Sequence, residues 1–159
     1  MKKASLVLLT MTLAVPVVFA VDGVVLINQS TVMAAGGFPY KINQSGSYRL
    51  TGNLLVDRNK TAIQIDVNDV TLDLNGFRIE CSTESVNVPE KYYCVGNDPV
   101  SGESTHGVLI RNGTISVSSS GAPRSIFQSS IGISLHAGAA VLEDLRMSAN
   151  LPPLYNGEM

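Results

Sequence analysis

The sequence predicts an all-β protein built from short strands that repeat along the chain. Three segments share one pattern, in which apolar and polar residues alternate as in a strand with one buried face. The segments are 70–79, 108–115 and 140–147. The first two also contain an Asn-Gly turn, at Asn75-Gly76 and at Asn112-Gly113. Because one such unit cannot bury its apolar face alone, repeated units of this kind stack on one another.

The start of the chain predicts export. Lys2 and Lys3 precede the apolar run 4–19, and the small residue Ala20 follows it. This pattern is typical of a secretory signal peptide over residues 1–20, cleaved after Ala20, and the short Lys-Lys leader is of the bacterial kind. The alternative is an uncleaved membrane anchor, for which the run is short. We therefore expect a secreted, periplasmic or cell-surface protein with no membrane contact after cleavage.

The charge balance argues against nucleic acid as a partner. The chain has 11 Lys and Arg residues against 13 Asp and Glu residues, and removal of Lys2 and Lys3 leaves 9 against 13, a net charge of −4. An acidic chain is repelled by phosphate backbones and by anionic membrane surfaces. We expect neither as a partner.

Two cysteines predict one disulfide. Cys81 and Cys94 are the only cysteines of the chain, and an even pair in an exported protein is typical of a disulfide. It would close a loop of about 14 residues and contribute roughly 3 kcal/mol in the chain-entropy model. The alternatives are two buried thiols or a metal site. A metal needs more ligands than this pair supplies, so no metal is expected.

The repeat also divides the chain into regions. The pair Ile63 and Ile65 recurs as Ile133 and Leu135, with the 108–115 copy between them. This spacing predicts two turns of about 35 residues each, with the excess length in loops. The predicted regions are a signal peptide 1–20, an N-terminal cap of short strands 21–60, stacked coils 61–150 with loops 82–105 and 116–130, and a C-terminal tail 151–159.

Several segments resemble the right-handed parallel β-helix family, the fold of pectin and pectate lyases and related proteins. The resemblance lies in 37–42, 46–54 and 70–76, then in 106–115 and 132–148, and it covers roughly residues 36–150. It implies a right-handed parallel β-helix of about three coils, fewer than is usual in the family. It also implies polysaccharide as the partner. Family members use an Arg or Lys base together with several Asp residues that bind Ca²⁺. The resemblance is the only reason to consider Ca²⁺ here, and no other cofactor is expected.

Stacking places equivalent residues of successive coils in columns about 4.8 Å apart. One inward column is predicted to contain Leu72, Ile110 and Leu142, and a second Ile79, Ile115 and Met147. The outward column Thr71, Leu109 and Val141 is partly apolar, and we expect the 82–105 loop or another subunit to cover it.

A second outward column aligns Asp73, Arg111 and Glu143. The simpler interpretation is a ladder of ion pairs. The alternative is a polar groove for sugars in which these three residues are the catalytic candidates. Asp73 and Glu143 would lie about 9.6 Å apart at two strand spacings, with Arg111 between them. This arrangement argues against a hydrolase.

Two further sets of side chains are candidates for structure or binding. Asn75, Asn112 and Asp144 align at the turn after the strand, where Asn and Asp tolerate a left-handed backbone, and we interpret them as a turn ladder. Tyr92 and Tyr93 could stack on a sugar. The alternative is that they anchor the loop beside Cys94.

These features together favour an exported β-helix module associated with carbohydrate and without a clear catalytic site. The first alternative is a polysaccharide lyase or glycoside hydrolase with the same fold. The second is a structural or adhesive surface module. The open last coil near Met147 would present unpaired backbone groups, so self-association through that end is also expected.

Overall fold

The computed structural model describes residues 23–84, 92–97, 104–120 and 130–150. This part of the chain is almost entirely β-structure, with one short helix. The predicted signal peptide 1–20 and tail 151–159 lie outside it. The elements in chain order are β1 (Val24–Ile27), α1 (Gln29–Ala34), β2 (Tyr40–Ile42), β3 (Gly46–Leu50), β4 (Leu54–Leu55), β5 (Ile63–Ile65), β6 (Val70–Asp73), β7 (Arg78–Glu84), β8 (Tyr92–Gly96), β9 (Thr105–Ser120), β10 (Ser130–Ser134) and β11 (Ala137–Asn150).

Every strand pair among these elements is parallel, and the strands form two sheets. One sheet has the order β10-β8-β5-β2. The other has the order β1-β3-β6-β9-β7-β4, with β11 also paired to β9. The long strand β9 contacts β6 with its first half and β7 with its second half. The prediction of an all-β chain is confirmed.

The parallel pairs define four repeat units, β2–β4, β5–β7, β8–β9 and β10–β11, each hydrogen-bonded to the unit before it. In the smaller sheet, Tyr40 of the first unit pairs with Ile63 of the second. Ile63 pairs in turn with Val95 of the third unit, and Val95 pairs with Ile133 of the fourth. Ile63 and Ile133 therefore lie two repeat units apart, as the sequence predicts.

The segment 21–60 is more than a cap of short strands. Its strands β2, β3 and β4 pair with β5, β6 and β7 and form a complete repeat unit, so the described chain has four units where about three were expected. It also contains the helix α1, which the sequence analysis did not predict. The side chain of Asn28 accepts a hydrogen bond from the Thr31 amide (3.0 Å), and the Thr31 hydroxyl accepts one from the Asn28 amide (2.9 Å). This reciprocal capping box fixes the start of the helix.

The two predicted loops are shorter than expected because strands occupy parts of both. Within 82–105, β7 continues to Glu84 and β8 forms the third strand of the smaller sheet. Within 116–130, β9 continues to Ser120, paired with β7 over its whole second half. Serine has little intrinsic preference for strands. The neighbouring strand supplies the backbone partners that hold this serine-rich segment extended.

The apolar core lies between the sheets and contains the predicted columns except for their last members, Leu142 and Met147, which are half exposed. Leu72 pairs with Ile110 and Ile110 with Leu142, while Ile79 pairs with Ile115 and Ile115 with Met147. Full burial of one Leu or Ile side chain contributes about 1.5–3 kcal/mol. The fully buried side chains include Ile27, Val32, Ile42, Leu50, Leu54, Ile63, Ile65, Leu72, Leu74, Ile79, Ile110 and Ile115.

The predicted disulfide is present. Cys81 on β7 and Cys94 on β8 are bonded, with their Cα atoms 5.9 Å apart, and both residues are buried. The bond ties the end of the second repeat unit to the start of the third.

The two ends of the stack differ. In the first repeat unit Ile42, Leu50 and Leu54 are fully buried, because β1 and the buried Val32 of α1 complete the core there. In the last unit Leu142 and Met147 are 50% and 55% exposed. The Gln29 side chain further closes the first end, because its amide exchanges two hydrogen bonds with the backbone of Leu55, at 3.0 and 3.2 Å. No helix in the described ranges could cross a membrane.

Candidate functional site

The predicted column of charged residues is present and is longer than expected. Asp73 on β6 pairs in register with Arg111 on β9, and Arg111 pairs with Glu143 on β11. Arg49 on β3 extends the column on the other side of Asp73. Arg49 was not among the predicted residues of this column, because the short strands of the first repeat unit do not show the repeat pattern.

Asp73 is the centre of this column and is almost completely buried, with 8% of its surface exposed. Its Oδ2 atom lies 3.4 Å from Nη2 of Arg111 and 3.9 Å from Nε of Arg49. Its Oδ1 atom accepts hydrogen bonds from the Asn75 amide (2.8 Å) and from Nδ2 of Asn112 (3.2 Å). Both carboxylate oxygens are therefore engaged, which is the pattern of a structural ion-pair network.

Glu143 differs from Asp73 although it belongs to the same column. It is exposed, and within the described ranges it forms no ion pair with Arg111. The three candidates therefore do not form one set of free acids and bases. The arrangement neutralises Asp73 and leaves Glu143 in solvent at the end of the stack.

The predicted turn residues adopt the predicted backbone. Asn75, Asn112 and Asp144 all have positive φ angles, 51°, 60° and 48°. The amides do not bond to one another but to groups of the preceding repeat unit. Nδ2 of Asn75 donates to the Leu50 carbonyl at 3.2 Å, and Nδ2 of Asn112 donates to Asp73. Asn75 and Asn112 therefore act as structural ties.

A second set of amide ties was not predicted. The side-chain carbonyl of Asn68 accepts a hydrogen bond from the His106 amide at 2.8 Å. That of Asn97 accepts one from the His136 amide at 2.7 Å, and its Nδ2 donates to the His136 carbonyl at 3.1 Å. The sequence signal was an Asn followed by a His at nearly the same separation in both cases.

The two candidate aromatic residues lie on β8. The structure describes only the backbone of Tyr92. Tyr93 is partly buried, and its hydroxyl donates a hydrogen bond to the Asn97 carbonyl at 2.8 Å. This contact matches the alternative in which Tyr93 anchors its own segment.

An open surface lies across β4, β7 and the second half of β9. Two adjoining depressions, of about 410 and 800 Å³, share Asn53, Leu55 and Glu80 in their walls. We call this surface the β4–β7 cleft. Arg78 and Thr114 line its smaller part, and the larger part is lined by Gln29, Asp57, Arg58, Ser82 and Ser118.

Strand register explains why the cleft is polar. Arg78 and Glu80 are alternate residues of β7, so both side chains point outward, and both are exposed. They lie opposite Thr114 and Ser116 of β9, while Leu55 of β4 lies opposite Glu80. Leu55 is 66% exposed, whereas the other apolar residues that line the cleft, Leu54 and Val56, are buried.

Two charged residues of the cleft, Arg78 and Glu80, differ from Asp73 in having no ion-pair partner among the described residues. In the described part of the chain neither Arg78 nor Glu80 forms an ion pair. The guanidinium offers several donors to a ligand, and the carboxylate accepts only. Sequence analysis could not identify this pair, because the alternation shows that the residues point outward but not which outward positions border a depression.

The residues that the structure describes contain no cluster of three or more His, Cys, Asp or Glu side chains that could hold a metal ion. Comparisons with protein-family models, with curated proteins and with solved structures give no match to this chain.

Proposed function

We propose that the protein is an exported module that binds polysaccharide in the β4–β7 cleft without cleaving it. The observation that carries the proposal is that Arg78 and Glu80, at alternate positions of one strand, are both unpaired within the described ranges and both line the open β4–β7 cleft. Sugar hydroxyls both donate and accept hydrogen bonds, so a donor and an acceptor side by side suit them. Polar groups of Asn53 and Thr114 add to this set, and the exposed Leu55 can contact the C–H face of a sugar ring.

The shape of the β4–β7 cleft suits a polymer better than a small ligand. Its two parts adjoin and share their walls, so the surface continues along β4 and across β7 to β9. A polymer lying across the strands meets a new side chain about every 4.8 Å. A small ligand is usually enclosed in a deep and mostly apolar pocket, and this surface is open and polar.

We propose that the stack is a right-handed parallel β-helix. Consecutive repeat units pair in parallel in both sheets, which supports a chain that winds in one direction. Parallel strands connected within one sheet cross over in the right-handed sense in about 98% of cases. The resemblance found in the sequence supports the same proposal.

We propose that the protein is exported. The leader sequence and the disulfide support this proposal. Buried, bonded Cys81 and Cys94 support an oxidising compartment. The test is the intact mass of the protein recovered from the periplasm or medium of a bacterial host. A product that begins at Val21 and carries the disulfide is expected. A product that retains residues 1–20 in the membrane would contradict the proposal.

A catalytic role is less well supported. Asp73 has both oxygens engaged, and two strand spacings between Asp73 and Glu143 give about 9.6 Å. That separation is at the upper limit for an inverting glycosidase, and Arg111 lies between the two carboxylates. We therefore expect a polysaccharide that binds to be recovered intact. Release of shortened or unsaturated products would overturn this part of the proposal.

The binding test uses the full chain and a panel of neutral and acidic polysaccharides, with and without Ca²⁺. A ligand of the folded state raises the thermal midpoint, and titration calorimetry gives the dissociation constant. Arg78→Ala and Glu80→Gln are each expected to weaken binding about tenfold, because a hydrogen bond to a charged group is worth about 1.5–3 kcal/mol.

Arg111→Ala is the matched control, since it removes an arginine whose side chain is 43% exposed and which is not among the residues that line the cleft. It is expected to leave binding unchanged. Loss of binding in Arg111→Ala alone would mean that the polysaccharide binds at the column of Asp73, Arg111 and Glu143. No binding by any polysaccharide would refute the proposed function.

A further inference from the structure

The free edge of β11 carries an inference that is independent of polysaccharide binding. On one side β11 pairs with β9, and no strand in the described ranges pairs with its other side. Leu142 and Met147 point into the core, opposite the fully buried Ile110 and Ile115, but are themselves half exposed. Unpaired backbone groups beside exposed apolar side chains form a template for another strand.

The sequence of β11 is complementary to itself when it is read in the opposite direction. An antiparallel copy centred between Asp144 and Leu145 sets Leu142 opposite Met147 of the second copy. The same register sets Glu143 opposite Arg146 of the second copy, and each contact occurs twice. Leu142 thus meets Met147 and Glu143 meets Arg146, whereas Asp144 at the bend lies opposite Leu145 of the second copy.

The geometry of the strand supports this register. Residues 142 and 147 are an odd number apart and would normally point to opposite faces. The positive φ of Asp144 interrupts the alternation, so that both side chains point inward, while Glu143 and Arg146 lie on the outer face opposite Arg111 and Thr114. The centre of the proposed pairing lies at this bend, so the bends of the two copies coincide.

We propose that two copies of the chain form a two-fold symmetric dimer by pairing their β11 edges antiparallel in this register. The partner is a second copy because the strand offers it both matched charges and matched apolar contacts. The assembly closes at two copies, since the β11 edge of each copy is used up by pairing with the other. A surface that pairs with itself about a two-fold axis gives a dimer and not a filament.

Charge reversal tests the register directly on the full chain. Glu143→Arg alone places Arg opposite Arg at both contacts, and Arg146→Glu alone places Glu opposite Glu. Cross-strand pairs of this kind are worth about 0.2–1 kcal/mol each. Changing two of them from attraction to repulsion is expected to raise the dimer dissociation constant at least about tenfold in sedimentation equilibrium.

The rescue experiment distinguishes this register from any other contact. The double variant Glu143→Arg/Arg146→Glu is expected to form the homodimer again. An equimolar mixture of the two single variants is expected to form the heterodimer, which native mass spectrometry detects. Lys41→Glu, a reversal at an exposed residue of β2, is the matched control and is expected to dimerise normally.

Three results would overturn the proposal. One is a wild-type chain that stays monomeric at all accessible concentrations, which would mean that other residues of the chain cover β11. Another is a dimer that both single reversals leave intact, and the third is failure of the double variant to dimerise. Circular dichroism on each variant shows that the fold is retained.

Discussion

At the scale of single residues, Asp73 and Glu143 show how position in one column decides what a carboxylate does. Both lie in register with Arg111, yet Asp73 is buried under two arginines and two amide donors, and Glu143 is exposed. A buried acceptor with satisfied hydrogen bonds leaves several groups without partners when it is removed.

Asp73→Ala is therefore expected to lower the free energy of unfolding by about 2–3 kcal/mol. Glu143→Ala, the matched change in the same column, is expected to cost less than about 0.5 kcal/mol. Urea denaturation of both variants gives the two values, measured at a protein concentration where the wild type is monomeric. Equal effects would mean that the contacts of Asp73 contribute little.

Tyr48 is expected to make the free energy of unfolding fall at alkaline pH. Burial raises the pKa of its hydroxyl above the ordinary value of 10.0, and the nearby Tyr40 raises this pKa further. The unfolded chain therefore loses the proton at a lower pH than the folded chain. The stabilising contribution is complete below pH 10 and is lost as the pH rises towards the folded-state pKa.

Urea midpoints between about pH 8 and pH 11 test this expectation. Tyr48→Phe removes the hydrogen bond from the hydroxyl to the Gln44 carbonyl (2.7 Å), so it is expected to cost about 1 kcal/mol at neutral pH. Its stability should then fall less steeply than that of the wild type above pH 10. Parallel curves for the two proteins would contradict the assignment.

At the scale of elements, the apolar alternation was enough to predict which residues share a column. The Ile110 and Ile115 columns follow from period-two patterns in β6, β9 and β11, because alternation is a direct consequence of strand geometry. The sequence did not identify the first repeat unit as part of the stack. Its strands β2 and β4 have only three and two residues, which is too short to show the alternation of apolar and polar residues.

Other features could not be predicted because they depend on neighbours distant in sequence. The serine-rich end of β9 is extended by pairing with β7. The β4–β7 cleft is formed by strands from more than one repeat unit, and the environment of Asp73 depends on Arg49 from a third strand. No local pattern in the sequence records these contacts.

The turns between strands show a similar dependence on neighbours. Gly76 has a positive φ of 78° and open space around it, so Gly76→Ala is expected to cost about 1–2 kcal/mol through backbone strain alone. Gly113 has ordinary dihedrals, but a methyl group there would press on the Leu74 side chain and lie 2.7 Å from the Phe77 carbonyl oxygen.

Gly113→Ala is therefore expected to be the more damaging substitution, at about 3 kcal/mol, because the turn 74–77 that carries these atoms must move away from β9. Denaturant unfolding of both variants provides the comparison. A smaller loss for Gly113→Ala than for Gly76→Ala would show that the two repeat units separate easily.

At the scale of the whole molecule, the first and last repeat units that the structure describes differ in how well their apolar residues are buried. Ile110 and Leu142 occupy the same column, and only the first is fully buried. Ile110→Ala is expected to lower the free energy of unfolding by about 2–5 kcal/mol. Leu142→Ala should cost less than about 1 kcal/mol when it is measured at low protein concentration, where the chain is monomeric. Equal losses would show that Leu142 is covered in solution.

The covered first repeat unit also has a consequence for the order in which the chain folds. The first repeat unit is covered on its outer side by β1, α1 and the Gln29 side chain, all of which precede it in the chain. Each later unit pairs with the unit directly before it in the chain. We therefore expect a nucleus at the amino-terminal side, from which structure propagates in one direction, in the order in which a ribosome releases the chain.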